Sequence, residues 1–126
     1  MSKSVDTTQF RITLEGGILF VNIRHPCDVG LDDARSAIEA ERKLGAGKRL
    51  PTLVDMTGTL SIDREARRYF AGPETAAVQN ATALIVSSPF TQAIGNFFLG
   101  LNKPAIPTRL FTNKSDAIAW LRLFVA

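Results

Sequence analysis

The chain has 126 residues, of which 45% are hydrophobic and 21% charged, with one cysteine, one histidine and a net charge of +3. That length and balance suit a domain burying roughly two-thirds of the surface its unfolded chain exposes, and they exclude disordered and fibrous classes. Cys27 cannot close an internal disulfide, Cys and His are too few for a structural zinc site, and the charge excess is too small for attraction to nucleic acid to dominate.

Residues 1–126 are expected to form a single domain. Met1 to Gln9 is polar, reads as flexible, and lacks the apolar run of a secretory signal, while no apolar stretch is long enough for a membrane span. The expectation is a cytoplasmic protein without membrane association and without a cofactor. From Phe10 the pattern becomes regular. Phe10, Ile12 and Leu14 alternate with Arg11 and Thr13 as in a half-buried strand, Glu15-Gly16-Gly17 makes a turn, and the nearly continuous apolar run Ile18 to Ile23 reads as an inner strand.

After the loop His25-Pro26-Cys27-Asp28, the spacing of Leu31, Ala34, Ile38 and Glu41-Leu44 predicts a helix, with Asp32 and Asp33 in its first turn, Arg42 and Lys43 in its last, and Gly45 and Gly47 at its end. Leu53 and Val54 form a short strand ending at Asp55. Ser61 or Asp63 caps a helix to about Phe70, which Gly72-Pro73 breaks. Ala83 to Val86 is a further strand. Pro89 to Leu101 is a helix with Ile94, Phe97, Phe98 and Leu101 as its apolar stripe, Leu110 and Phe111 form the last strand, and Ala117, Ile118, Leu121 and Phe124 pattern the last helix.

The order β-β-α-β-α-β-α-β-α is a hairpin followed by three strand-helix-strand crossovers, so the fold class is α/β with a mixed, mostly parallel sheet. If successive strands are neighbours, the crossover helices share one face. The other face then needs a cover, which a second copy of the chain would supply, so a homo-oligomer is expected.

Asp55, at the C-terminal end of a parallel strand, lies where open α/β sheets place ligand contacts, and Thr57, Gly58, Thr59 and Ser61 add hydroxyls and a turn beside it. The plainer reading is that these groups satisfy loop and helix backbone, since Gly58 alone is too little glycine for a phosphate cradle. Arg64, Arg67 and Arg68, with Lys48 and Arg49, could form a basic patch, but Glu65 interleaves and no aromatic platform accompanies them, so nucleic acid is not an expected partner. His25 and Cys27 are the one pair that could furnish a nucleophile, and no orienting group or oxyanion donor joins them, so no catalytic residue is assigned. Phe97 and Phe98 are adjacent, so their rings cannot share one core position; one of them is the candidate interface. A pocket around Phe97, Phe98 and Trp120 is the alternative, for a small apolar ligand.

Two stretches carry a family resemblance. Leu53-Val54-Asp55-Met56-Thr57-Gly58 resembles the strand-loop segment of STAS-like (SpoIIAA-like) domains, in which apolar residues precede Asp, an apolar residue, Ser or Thr, and Gly. Thr108-Arg109-Leu110-Phe111 with Ala117-Ile118-Ala119-Trp120-Leu121 is similar to the tail of small uncharacterised bacterial SpoIIAA-like proteins. The resemblance implies a mixed sheet with helices packed on it, and binding of partner proteins rather than catalysis. In phosphorylated STAS domains a serine follows an Asp at the start of the helix after this loop. The matching pair here is Asp63-Arg64, so the resemblance implies association without that family's phosphoacceptor.

Overall fold

The apolar alternation of the hairpin and the apolar inner strands build one main sheet, as a computed structural model of the chain describes for residues 3–125. Four strands come first, β1 (Lys3–Asp6), β2 (Phe10–Glu15), β3 (Ile18–Ile23) and β4 (Cys27–Val29), then helix α1 (Leu31–Leu44). Strands β5 (Leu50–Asp55) and β6 (Thr59–Ile62) precede helices α2 (Arg64–Ala71) and α3 (Pro73–Ala76). Strand β7 (Gln79–Ile85), helix α4 (Pro89–Asn102), strand β8 (Thr108–Phe111), helix α5 (Lys114–Leu121) and a closing 3-10 turn (Arg122–Phe124) complete the described chain.

The main sheet has six strands in the order β1-β2-β3-β5-β7-β8. β1, β2 and β3 pair antiparallel, while β3-β5, β5-β7 and β7-β8 are parallel, which is the expected α/β class with a mostly parallel sheet. β4 and β6 form a separate two-stranded parallel sheet. Both lie in segments read from sequence as loop and helix cap. Each is too short and too exposed on one side to show its own period, and each exists only by pairing with the other. Of the segment expected to be flexible, Lys3–Asp6 is instead an edge strand paired with β2, and Met1 and Ser2 lie outside the described residues.

Alternation sorts the side chains onto two faces. Ile12, Val21, Val54 and Leu84 point to the side covered by α1, α2 and α4, whose contact residues are mostly small: Ala34, Ala37, Ala40, Ala66 and Gly95. Ile18, Leu53, Ala81, Ala83 and Ile85 point to the other side, where Ala117 and Leu121 of α5 pack with Phe111, Trp120 and Phe124 around them. This removes the reason for expecting a second copy over the sheet. α5 follows the last strand rather than connecting two, so no crossover rule places it, and it folds back over the face the crossover helices leave free. The rest of that face, along β1 and β2, presents Ser4, Asp6, Arg11 and Thr13, a surface water can cover.

One irregularity shapes the interior. Leu50 pairs with Gln79 and Pro51 with Ala81, so Asn80 is an extra residue in β7. A bulge re-aims the neighbouring side chain, and here Gln79 reaches Glu41 of α1 while Asn80 Nδ2 donates to the Phe124 carbonyl on the opposite face at 3.0 Å.

Candidate functional site

The loop after β5 is held by its own polar groups. Asp55 Oδ1 accepts from the Thr57 N–H at 3.0 Å, an Asx turn, and the Thr57 and Ser87 hydroxyls lie 3.1 Å apart. Gly58 has φ +94°, which an L side chain rarely adopts, and a Cβ there would meet Ile23 Cγ2 at 3.4 Å. Thr59 is buried at the start of β6, and the Ser61 hydroxyl donates to Asp28 Oδ1 at 2.6 Å. Asp63, not Ser61, caps α2, accepting from the Ala66 N–H at 2.8 Å; Arg64 follows as the first, exposed residue of that helix. The structure therefore does not gather Asp55, Thr57, Thr59, Ser61 and Arg64 around one point.

What it does assemble lies one helix away. The stripe read as the core side of α4 is split: Phe97 is 53% exposed and Leu101 61%, facing outward with Phe90 at 57%, whereas Ile94 is half-buried and Phe98 packs inward. The buried side is Thr91, Gly95 and Phe98. The split has a steric cause. α4 sits so close to the sheet that a Cβ at Gly95 would come within 2.8 Å of Leu110 Cδ2, and only small residues plus one ring fit beneath it. Phe97 is thus at the surface and Phe98 in the core, with adjacent helical positions about 100° apart.

Phe90, Ala93, Ile94 and Phe97 form one wall of a groove of about 320 Å³, and Leu60, Ser61, Ile62 and Arg67 form the other. Leu60, on β6, is itself 51% exposed. The Arg67 guanidinium lies 5.0 Å from the Phe97 ring centroid, within cation–π range, and its Nη1 donates to the Ile62 carbonyl at 2.7 Å. Its Nε–H is buried without a hydrogen-bond partner among the described residues. Ser61 and Phe97 are the sequence candidates that line this groove. Arg67 lines it too, as one member of the basic patch read from sequence, while Leu60 and Phe90 were missed; only packing reveals that Phe90, Phe97 and Leu101 face outward.

The remaining candidates separate. Cys27 is buried, and burial with the carboxylates of Asp33 and Asp28 pushes its thiol pKa up, the reverse of what a nucleophile needs; His25 is exposed. Trp120 packs between Phe111 and Phe124, with centroids 5.7 and 5.1 Å away, on the α5 face of the sheet, whereas Phe98 lies on the other face. Lying on opposite faces of the sheet, Phe98 and Trp120 do not line one pocket with Phe97 among the described residues. Inside the α1 side, Glu41 is 2% exposed; burial raises its carboxyl pKa to about 7, against a lowering by its hydrogen bond from Gln79 Nε2 at 2.6 Å. Thr82 in turn donates to Gln79 Oε1.

The chain matches a family model described as a domain of unknown function, DUF7793, over residues 12–125, and so belongs to that family. No curated protein matches it. Among solved structures it is similar to an uncharacterized DUF3478-family protein with a SpoIIAA-like fold from Shewanella loihica PV-4, at 13% identity, covering 96% of this chain and 92% of that one with a TM-score of 0.60. It is also similar to the anti-sigma factor antagonist SpoIIAA in its unphosphorylated form, at 16% identity, 90% and 97% coverage and a TM-score of 0.56. A protein of unknown function from Arthrobacter sp. FB24 is 38% identical over 89% of this chain and 98% of that one, with a TM-score of 0.34. The first two likenesses establish a SpoIIAA-like fold.

Proposed function

We propose that this member of the DUF7793 family, built on a SpoIIAA-like fold, is a non-enzymatic cytoplasmic module that binds a partner protein through the groove between α4 and β6–α2. The observation that carries the reading is the outward apolar stripe of α4 facing exposed Leu60 across that groove. Isolated exposed apolar residues are ordinary; several lining one groove mark an interaction site. Arg67 of α2 lines it, its guanidinium stacked over Phe97, and brings a positive charge to the groove. The occupant is accordingly a protein segment with an apolar anchor and acidic residues beside it. Fold relatives support the class, since one of them is an anti-sigma factor antagonist. With Arg64 at the position of the STAS phosphoacceptor, association here runs without that switch. The burial of Cys27, which with Asp33 and Asp28 pushes its thiol pKa up, supports a non-enzymatic reading, and no helix among the described residues is long and apolar enough to cross a membrane.

The test places a photocrosslinking residue at Phe97 and, separately, at Thr13 on the polar face. A partner captured only from position 97 is then purified and titrated with the wild type and with Phe97→Asp. Binding weakened at least about tenfold by Phe97→Asp, with an unchanged melting temperature, supports the groove. Equal capture from both positions, or affinity unmoved by Phe97→Asp, overturns it. Light scattering separates the remaining case: a dimer that Phe97→Asp dissolves would make the occupant a second copy.

A further inference from the structure

Close-packed interiors leave few voids larger than a water molecule, yet a cavity of about 80 Å³ lies between the sheet and the layer of α1, α2 and α4. Its walls include Val21, Val54, Ile62, Leu84 and Phe98, and Glu41 is the single ionisable residue among those that line it. One oxygen of Glu41, Oε1, accepts from Gln79 Nε2, and no hydrogen bond is made to Oε2 among the described residues. A carboxyl group can accept several donors. Buried polar groups left with unused capacity are costly unless something meets them.

We infer that this cavity is a binding site for a small apolar molecule ending in one hydrogen-bond-donating head, an alcohol or a primary amine, with the head on Glu41 and the tail against Val54, Leu84 and Phe98. The size follows from the volume: a dry cavity of about 150 Å³ takes benzene with its six carbons, so roughly half of that suits about three non-hydrogen atoms, a two-carbon tail and its head. The polar groups stand on α1 and in the bulge of β7, while the rest of the lining is mainly aliphatic and aromatic, an arrangement that orients a two-ended molecule. The site shares only Ile62 with the lining of the surface groove, so its failure leaves the docking reading standing.

The experiment is a methyl-resolved NMR titration of the full chain with ethanol, ethylamine and acetate. Saturable shifts at the methyls of Val21, Val54, Ile62 and Leu84 are expected with the alcohol and the amine, and weaker binding of acetate, whose carboxylate would face that of Glu41. Ala37→Val and Val54→Ile each place extra carbon in the cavity and should weaken both ligands at least about tenfold. The two fill it from opposite walls, so one folded variant suffices. Glu41→Gln should weaken the amine more than the alcohol. Absence of saturable shifts with every probe, as a cavity holding only water would give, overturns the inference. So does acetate binding as tightly as the amine, or affinity unchanged in the folded filled variants.

Discussion

On the face covered by α5, Leu53, Ala83 and Ile85 meet Ala117 and Leu121 with Trp120 wedged between Phe111 and Phe124; on the face covered by α1, α2 and α4, the same strands present Val54, Thr82 and Leu84 to a cavity with a carboxyl in its wall. The difference lies in the size of what each helix brings. One short helix, with large side chains around it, packs over its half of the sheet. Helices α1, α2 and α4, whose contacts are mostly alanines and a glycine, approach closely but supply little volume, and the space between them stays open.

The comparison breaks most readily at Leu121, which is fully buried. Leu121→Ala should cost about 4 kcal/mol in urea unfolding, since a tightly packed site cannot collapse around the lost carbons. On the other face, Ala37→Val adds carbon to existing space and should stay within about 1 kcal/mol of the wild type. Equal losses at the two positions would mean that the faces are packed alike. A second, somewhat smaller effect separates the faces by pH. Glu41 has a folded pKa raised from 4.5 to about 7, chiefly by burial. The folded state therefore holds this proton more tightly than the unfolded state. Its contribution is fully present below pH 4.5 and is lost as pH rises through about 7, roughly 3 kcal/mol in all. Glu41→Gln should remove that slope from the pH profile of stability.

How far these two faces could be read from sequence depends on where the signal resides. The hairpin was legible because Phe10, Ile12 and Leu14 alternate over a turn of two glycines, both with positive φ. α1 was legible because acidic residues, apolar spacing, basic residues and glycine follow in the order a helix requires. Glu41 stands on the apolar spacing of that helix, so its burial was signalled, but its partner Gln79 arrives through a bulge thirty-eight residues on. β1 carries only Val5 as an apolar residue and is made by pairing with β2. α4 misled because its apolar stripe is split, with Phe98 on the sheet and Phe97 and Leu101 facing away; direction depends on Gly95 against Leu110, a contact between distant segments.

Smaller effects belong to the end of the molecule where the helical layer opens. Gly58→Ala forces a Cβ onto φ +94° and should cost about 1–2 kcal/mol, read as an earlier urea midpoint with an unchanged slope. A loss within error would mean that the loop after β5 shifts freely, which its hydrogen bonds to Asp55 and Ser87 argue against.

Phe97→Ala is the smallest change in stability and the most informative. The ring is about half exposed, so truncation removes little buried area, and its main intramolecular contact is the stacking over Arg67. Exposed cation–π pairs contribute about 0.5–1 kcal/mol, so the melting curve should move by no more than that. If the ring belonged to the core, as its place in the apolar pattern of α4 suggests, the loss would instead be several kcal/mol, in the range for buried phenylalanine. A near-silent melting curve combined with lost partner binding would therefore assign Phe97 to the groove rather than to the fold.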